Sequence, residues 1–303
     1  MCRRLFYVLL CLLWPCIALA KAPCPLPADY TPIAERYETG LLFKVSSCGV
    51  TNYLFGTFHS DDPMLRPMLH DAKQAITNSD YAAFEIVLDE QAKKQVLVSL
   101  LLPPDKPGLN QLLPRSVFTK LQANLAHIPI NPEQINRFKP WAVAVLMQYP
   151  QPKADGMVID EQLQQYAMHQ NKQLFGLESV QEQFAIFDNL SLDEQVMFLE
   201  ASLDDIDSIN ENMARLQTLY ANKDMRGIAA LGRESFDAIE DDALGAYLEN
   251  ALLTKRNYKM AGWLSTPLQL GGMFVAVGAL HLPGESGLLH LLEQQGYRIT
   301  VAD

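Results

Sequence analysis

An α/β fold built on a central mixed, mainly parallel sheet is predicted by three features of this 303-residue chain. A strand–helix–strand pattern runs through residues 41–88. A second runs through 273–301. The stretch between them, about 90–265, has mostly helical periodicity. Two βαβ units flanking a large helical insert predict one α/β domain over 21–303, whose first and last parts share a sheet. No linker separates independent units.

In order, Leu41 to Ser47 and Thr51 to Phe58 read as strands around Cys48-Gly49, a turn signal. Pro63 to Asn78 reads as a helix with Leu65, Leu69, Ala72 and Ile76 on one face. Tyr81 to Leu88 is a strand rich in aromatic and branched residues, with Glu85 in its middle. Helices are predicted at Glu90 to Leu102, Arg115 to Ala126, Pro132 to Met147 and Val158 to Gln170, punctuated by Pro103-Pro104 and Pro150-Gln151-Pro152. Gln173 to Leu177 is a short strand ending in Glu178. An acidic helix then runs from Leu192 to about Tyr220, capped by Ser191 with Glu194 three residues on. Further helix covers Met225 to Glu234 and Ala243 to Trp263. Met273 to Val277 (strand), Gly287 to Gln295 (helix) and Tyr297 to Val301 (strand) complete the second unit.

The first twenty residues are set apart from this fold. Met1-Cys2-Arg3-Arg4 is basic, Leu5 to Ile17 is apolar, and Ala18-Leu19-Ala20 is a cleavage site ahead of Lys21. That is a secretory signal peptide at 1–20, cleaved after Ala20, and it is short for a membrane span. A periplasmic or secreted protein is expected. Cys2, Cys11 and Cys16 leave with the leader, so Cys24 and Cys48 remain as an even pair in an oxidising compartment. A Cys24–Cys48 disulfide is worth roughly 3 kcal/mol in the chain-entropy model. The alternative, two thiols ligating a metal, lacks a third Cys or a nearby His. The net charge of −11 becomes two units more negative without Arg3 and Arg4. An acidic chain with no basic stripe does not favour nucleic acid or anionic membrane as a partner.

The chemistry-bearing residues gather at predicted strand ends. Gly56-Thr57-Phe58-His59 and Gly278-Ala279-Leu280-His281 are both Gly-x-x-His, each after an apolar run. Imidazole is the commonest metal ligand and the usual acid/base near neutral pH. Ligands of open α/β sheets bind at strand C-termini. Glu85 and Glu178 would join His59 and His281 at that edge. Two imidazoles and two carboxylates suit a divalent metal with open water positions, or a metal-free acid/base pair. Plainer readings exist for each. A His after an apolar strand is often a packed turn residue. Glu85 faces solvent or has a cation, metal or proton as partner, because an unpaired buried carboxylate is expensive. Glu178 suits the N-terminus of a helix beginning near Ser179. Arg256, closing a helical run, reads first as a solvated helix-end cation and second as a clamp for a substrate anion. His70, His127, His169 and His290 read as surface or packing residues. No His-x-x-x-His, Gly-x-Ser-x-Gly or P-loop is present.

The strings Tyr53-Leu54-Phe55-Gly56-Thr57-Phe58-His59, Phe175-Gly176-Leu177-Glu178-Ser179 with Glu182-Gln183-Phe184, Arg256-Asn257, and Val275 to Gly284 with Gly287-Leu288-Leu289 and Gly296-Tyr297 together resemble the TraB/PrgY/GumN family, from about residue 40 onward. That family includes the animal TIKI proteins, membrane-associated metal-dependent proteases acting on Wnt ligands, in which the two Gly-x-x-His motifs and a glutamate are held to be the active site. Its wider superfamily includes erythromycin esterases and haem-binding ChaN proteins. The resemblance implies His59, Glu85 and His281 as metal-site residues, with Glu178 and Arg256 in support. Tyr297 to Asp303 is too short and polar for a C-terminal anchor, so no membrane anchor is expected after leader cleavage.

The expected function is a metal-dependent hydrolase of a peptide or small-molecule substrate, using a divalent ion such as Mn, Co or Zn. The alternatives are a metal-free esterase-like hydrolase with His59 as base, and a non-catalytic protein that binds haem or another ligand.

Overall fold

The structure, a computed structural model, describes Leu26, Tyr30 and residues 39–125, 131–148, 156–204 and 206–302. The predicted leader, Cys24 and His127 lie outside the described residues. In chain order the elements are β1 (Leu42–Ser47), β2 (Val50–Thr57), α1 (Met68–Thr77), β3 (Tyr81–Phe84), α2 (Glu90–Leu100), α3 (Leu109–Leu112), α4 (Arg115–Ala123), α5 (Pro132–Ile135), α6 (Pro140–Met147) and α7 (Ile159–His169). They continue with β4 (Gln173–Gly176), α8 (Val180–Asp188), α9 (Leu192–Asp204), α10 (Ile206–Ala221), α11 (Met225–Asp237), α12 (Asp242–Glu249), α13 (Lys255–Leu264), α14 (Pro267–Leu270), β5 (Met273–Gly278), α15 (Leu288–Gln294) and β6 (Arg298–Val301).

The six strands form one sheet in the order β4-β3-β5-β2-β1-β6. β4, β3, β5 and β2 are mutually parallel, and β1 runs antiparallel to both β2 and β6. The mixed, mainly parallel sheet is therefore present, with one correction to its pairing. β2 and β3 are not neighbours, because β5 from the far end of the chain lies between them. β6 likewise does not join β5 but closes the opposite edge on β1. Each crossover runs between parallel strands, but β5 fills the gap in the first and β2 and β1 fill it in the second. Local pattern carries helix and strand periods, not the order in which strands assemble.

Residues Cys48 (φ 50°) and Gly49 (φ 83°) link β1 to β2 through Ser47↔Val50. Two positive φ values in a two-residue loop are what a right-twisted hairpin prefers. β3 ends at Phe84, four residues before the predicted Leu88, so Glu85 stands just past the strand rather than inside it. The predicted helix over 132–147 is two helices, since Lys139 is extended (ψ 149°) ahead of Pro140. The capping signal at Ser191 is realised: Ser191 N–H donates to Glu194 at 2.7 Å, and Glu194 N–H donates to Ser191 Oγ at 3.2 Å.

One apolar core packs both faces of the sheet, including Phe43, Phe55, Phe84 and Phe274. A second lies among the insert helices, where Trp141 stacks on Phe187 with ring centroids 5.0 Å apart. Among the described residues, no helix is long and apolar enough to cross a membrane.

Candidate active site

Parallel pairing brings the C-terminal ends of β2, β3, β4 and β5 to one edge. Thr57 is in register with Gly278, and Phe84 with both Ala276 and Gly176. The next residues along these strands lead to His59, Glu85, Glu178 and His281. The glycines of the two Gly-x-x-His strings have a steric purpose. A Cβ on Gly56 would come 3.1 Å from the Ala279 Cα and 2.8 Å from a Leu282 methyl, so the first turn packs directly on the second. Gly278 donates its N–H to Glu85 Oε1 at 2.7 Å. The insert reaches this edge as well, where Tyr220 of α10 donates its hydroxyl to the Gly56 carbonyl at 2.7 Å.

Arg256 joins the two carboxylates. Its Nη2 donates to Glu85 Oε2 at 2.5 Å and to Glu178 Oε2 at 2.7 Å, and its Nε donates to Glu178 Oε2 at 2.9 Å. Nη1 donates to the Leu252 carbonyl at 3.2 Å. Gln183 on α8 donates a hydrogen bond from Nε2 to each Glu, at 3.0 Å to Glu85 Oε2 and 3.2 Å to Glu178 Oε2. Arg256 therefore is not the solvated helix-end cation of the first reading. Its side chain is only 13 % exposed and that of Glu178 only 2 %. A π-helical turn at Asn250–Thr254 immediately precedes it. Such turns are rare and occur frequently at functional sites. Burial disfavours the charged Arg256, but Glu85 and Glu178 outweigh it and hold the guanidinium cationic.

The imidazoles are held differently. His59 Nδ1–H donates to Asp160 Oδ2 at 2.8 Å, and Thr57 Oγ1–H donates to Asp160 Oδ1 at 2.6 Å. The Asp160 charge, against desolvation, raises the pKa of His59 to about 9. His281 is buried, and its Nδ1–H donates to Asn257 Oδ1 at 2.6 Å. Burial, reinforced by the Arg256 charge, lowers its pKa to about 4, so His281 is neutral at pH 7. Its Nε2 then carries a lone pair and faces Glu85 Oε1 at 3.6 Å. Burial opposes ionisation of Glu85. The positive charge of His281 when protonated, Arg256, His59 and the Gly278 N–H overcome it and hold the carboxyl well below the usual carboxylate range.

The donor chemistry fits a divalent cation in two respects. Each imidazole has Nδ1 engaged by an oxygen, the arrangement that fixes the ring of a metal-ligating histidine. His281 Nε2 and Glu85 Oε1 are two acceptors facing one another, a pairing that calls for a cation or proton between them. Among the described residues, however, no group of three or more His, Cys, Asp or Glu side chains is gathered so as to hold a metal ion. Glu85 Oε2 is spent on Arg256 and Gln183, which leaves Oε1 as its ligand atom.

All five residues singled out from the sequence thus come to one edge. Asp160, Thr57, Asn257 and Gln183 complete the arrangement and were not singled out. Thr57, Gln183 and Asn257 stand inside the motif strings quoted from the sequence but were given no role, and Asp160 lay in a predicted helix with no local signal.

A mainly parallel α/β sheet carrying two stacked Gly-x-x-His turns above a Glu–Arg–Glu cluster defines a recognisable class of protein. The chain belongs to the TraB/PrgY/gumN family, whose sequence profile matches residues 41–301. It is similar to human Metalloprotease TIKI1, at 23 % identity over 97 % of this chain and 68 % of that protein. It is similar also to Metalloprotease TIKI2 of Danio rerio, at 24 % over 82 % of this chain and 58 % of that protein. The Metalloprotease TIKI homolog of Nematostella vectensis is 25 % identical over 82 % of this chain, which spans 64 % of that relative's length. No solved structure matches the chain.

Proposed function

We propose that this protein is a metal-dependent hydrolase, a peptidase, with its site at His59, Glu85 and His281. The observation that carries this reading is the facing pair of acceptors, the neutral Nε2 of His281 and the ionised Oε1 of Glu85, 3.6 Å apart. The relatives named metalloproteases support the same direction. His281 Nε2 and Glu85 Oε1 would hold the ion, and His59 Nε2 would join them only once the two turns close on it. A zinc-like ion at this point supplies a bound water with a pKa of about 7 and a Lewis acid for a carbonyl oxygen.

The chain's own residues do the rest. Asp160 and Thr57 hold His59 in one orientation, at the more exposed side of the site, with Nδ1 engaged so that Nε2 is the atom the ring would offer an ion. Asn257 fixes the His281 ring so that its lone pair points inward. Four of the five N–H groups of Arg256 are taken by Glu178, Glu85 and Leu252, so its part is to keep both carboxylates charged and aimed. The substrate clamp considered from the sequence has one Nη1–H to work with. The leader pattern and the Cys24/Cys48 pair support work in the periplasm or outside the cell, with those cysteines joined.

The test is peptide hydrolysis by the purified chain before and after exhaustive chelation, and by His59→Ala. Activity should disappear in both, return to the chelated protein with a divalent ion, and leave the circular dichroism of His59→Ala native-like. Full activity in folded His59→Ala sinks the proposal. Activity that survives chelation but not His59→Ala replaces it with the metal-free reading, which the His59–Asp160 dyad favours.

A further inference from the structure

The insert helices line a partly open cavity, of about 360 Å³, that the mechanism does not use. α6, α8, α9, α10, α11 and α12 all contribute to its wall, as does Leu280 of the second Gly-x-x-His turn. Native interiors hold few voids larger than a water molecule. An engineered apolar cavity of about 150 Å³ already takes benzene. Space of more than twice that size exceeds any single apolar side chain.

The wall decides the chemistry of an occupant. Among the described residues, no charged side chain lines it. Two of its few polar side chains, Ser202 and Ser235, turn their hydroxyls back on the Phe198 and Leu231 carbonyls at 3.0 Å and 2.9 Å. Asn212 accepts from Arg215 at 3.2 Å. Gln148 is exposed and belongs to the rim. A peptide backbone, a sugar or a nucleobase would bury amides or hydroxyls there without partners, at a cost that forbids tight binding. A hydrocarbon chain has no such groups to satisfy. Its polar end would remain at the rim.

We propose that this cavity is a binding site for an unbranched aliphatic chain, such as a fatty acid or the acyl chain of a lipidated molecule. The proposal stands apart from the hydrolase reading, although the cavity borders the candidate active site at two points. Leu252 lines the cavity with its side chain while its carbonyl accepts from Arg256. Leu280 precedes His281 and packs so closely on α11 that a Cβ on Gly232 would lie 2.5 Å from its methyl. A chain seated in the cavity therefore presses on the turn that carries His281.

The experiment is calorimetric titration of the full chain with decanoate, myristate and palmitate, in parallel with Ala201→Trp and Ser235→Leu, each of which fills the cavity from a different helix. The wild type should bind one chain per molecule, with a negative heat-capacity change that marks apolar burial. Each folded variant should bind at least about tenfold more weakly, a difference of about 1.4 kcal/mol. Both variants avoid the candidate active-site residues, and their melting curves establish that they fold. Absence of saturable binding to the wild type overturns the proposal whatever the variants do. So does unchanged binding in a folded variant.

Discussion

At the scale of the residue, the site is governed by who neutralises whom. Glu85 and Glu178 would be costly to bury alone, and Arg256 makes both tolerable. Removing one partner of a buried ionic cluster leaves an uncompensated charge. Arg256→Ala should therefore destabilise the protein by about 3–5 kcal/mol, read from the urea midpoint, while Glu178→Gln with Arg256 intact should cost less. His59 belongs to a different regime, because its side chain is 47 % exposed and its ion pair with Asp160 is partly screened. In metal-depleted Asp160→Asn, the His59 pKa should fall from about 9 toward 6.5, followed by NMR of the imidazole protons. The sign for stability follows: a raised histidine pKa stabilises fully below 6.5, and the gain fades as pH climbs through about 9. The stability gap between wild type and Asp160→Asn should shrink over that window. An unmoved His59 pKa would remove Asp160 as its orienting partner.

At the scale of the element, turns decide more than strands do. The first motif begins with glycine because the end of β2 touches the backbone of the turn after β5 at Ala279, and a Cβ on Gly278 of the second would crowd the Glu85 carboxylate. Gly56→Ala should push these turns apart. We expect a loss of about 1–3 kcal/mol from overpacking, together with lower activity through displacement of both histidines. Thermal melting and peptide hydrolysis measured on the same sample check both. Retained stability and activity would mean that the turns yield without moving the imidazoles. The hairpin turn at Cys48-Gly49, the box at Ser191/Glu194 and the strand over 273–278 were legible locally, since each depends on a few consecutive residues. The break at Lys139-Pro140 carried its signal in the proline, yet apolar spacing across it suggested one continuous helix. The π-helical turn before Arg256 has no sequence signature, and it sits where that guanidinium is aimed.

At the scale of the whole molecule, stability should depend on acid in a definite way. His281 is buried and neutral, so the unfolded chain takes up its proton at about 6.5 and the folded chain only at about 4. The unfolded state then binds more protons between those values, and stability falls as pH drops through that window. Glu85, with its carboxyl held low, extends the loss below 4.5. The melting temperature of metal-depleted protein should decline from pH 7 to pH 4, and His281→Gln should flatten the first part of that decline. An unchanged slope in His281→Gln would place the acid sensitivity elsewhere.

The amino-acid sequence by itself determined the elements and the chemical inventory: apolar runs read as strands, amphipathic runs read as helices, with His59, Glu178 and His281 at strand ends, Glu85 within a strand and Arg256 closing a helix. Those follow from periods of two and 3.6 residues and from the cost of burying charge, which act over short stretches of chain. Only the tertiary structure decided that β5 slots between β2 and β3, that Arg256 stands between Glu85 and Glu178, and that Asp160 and Asn257 hold the two imidazoles. Those contacts join distant parts of the chain, as Tyr53 to Phe274 and Glu85 to Arg256. Their pairing depends on which strands assemble side by side, a choice made by packing the whole core and not written in any local pattern.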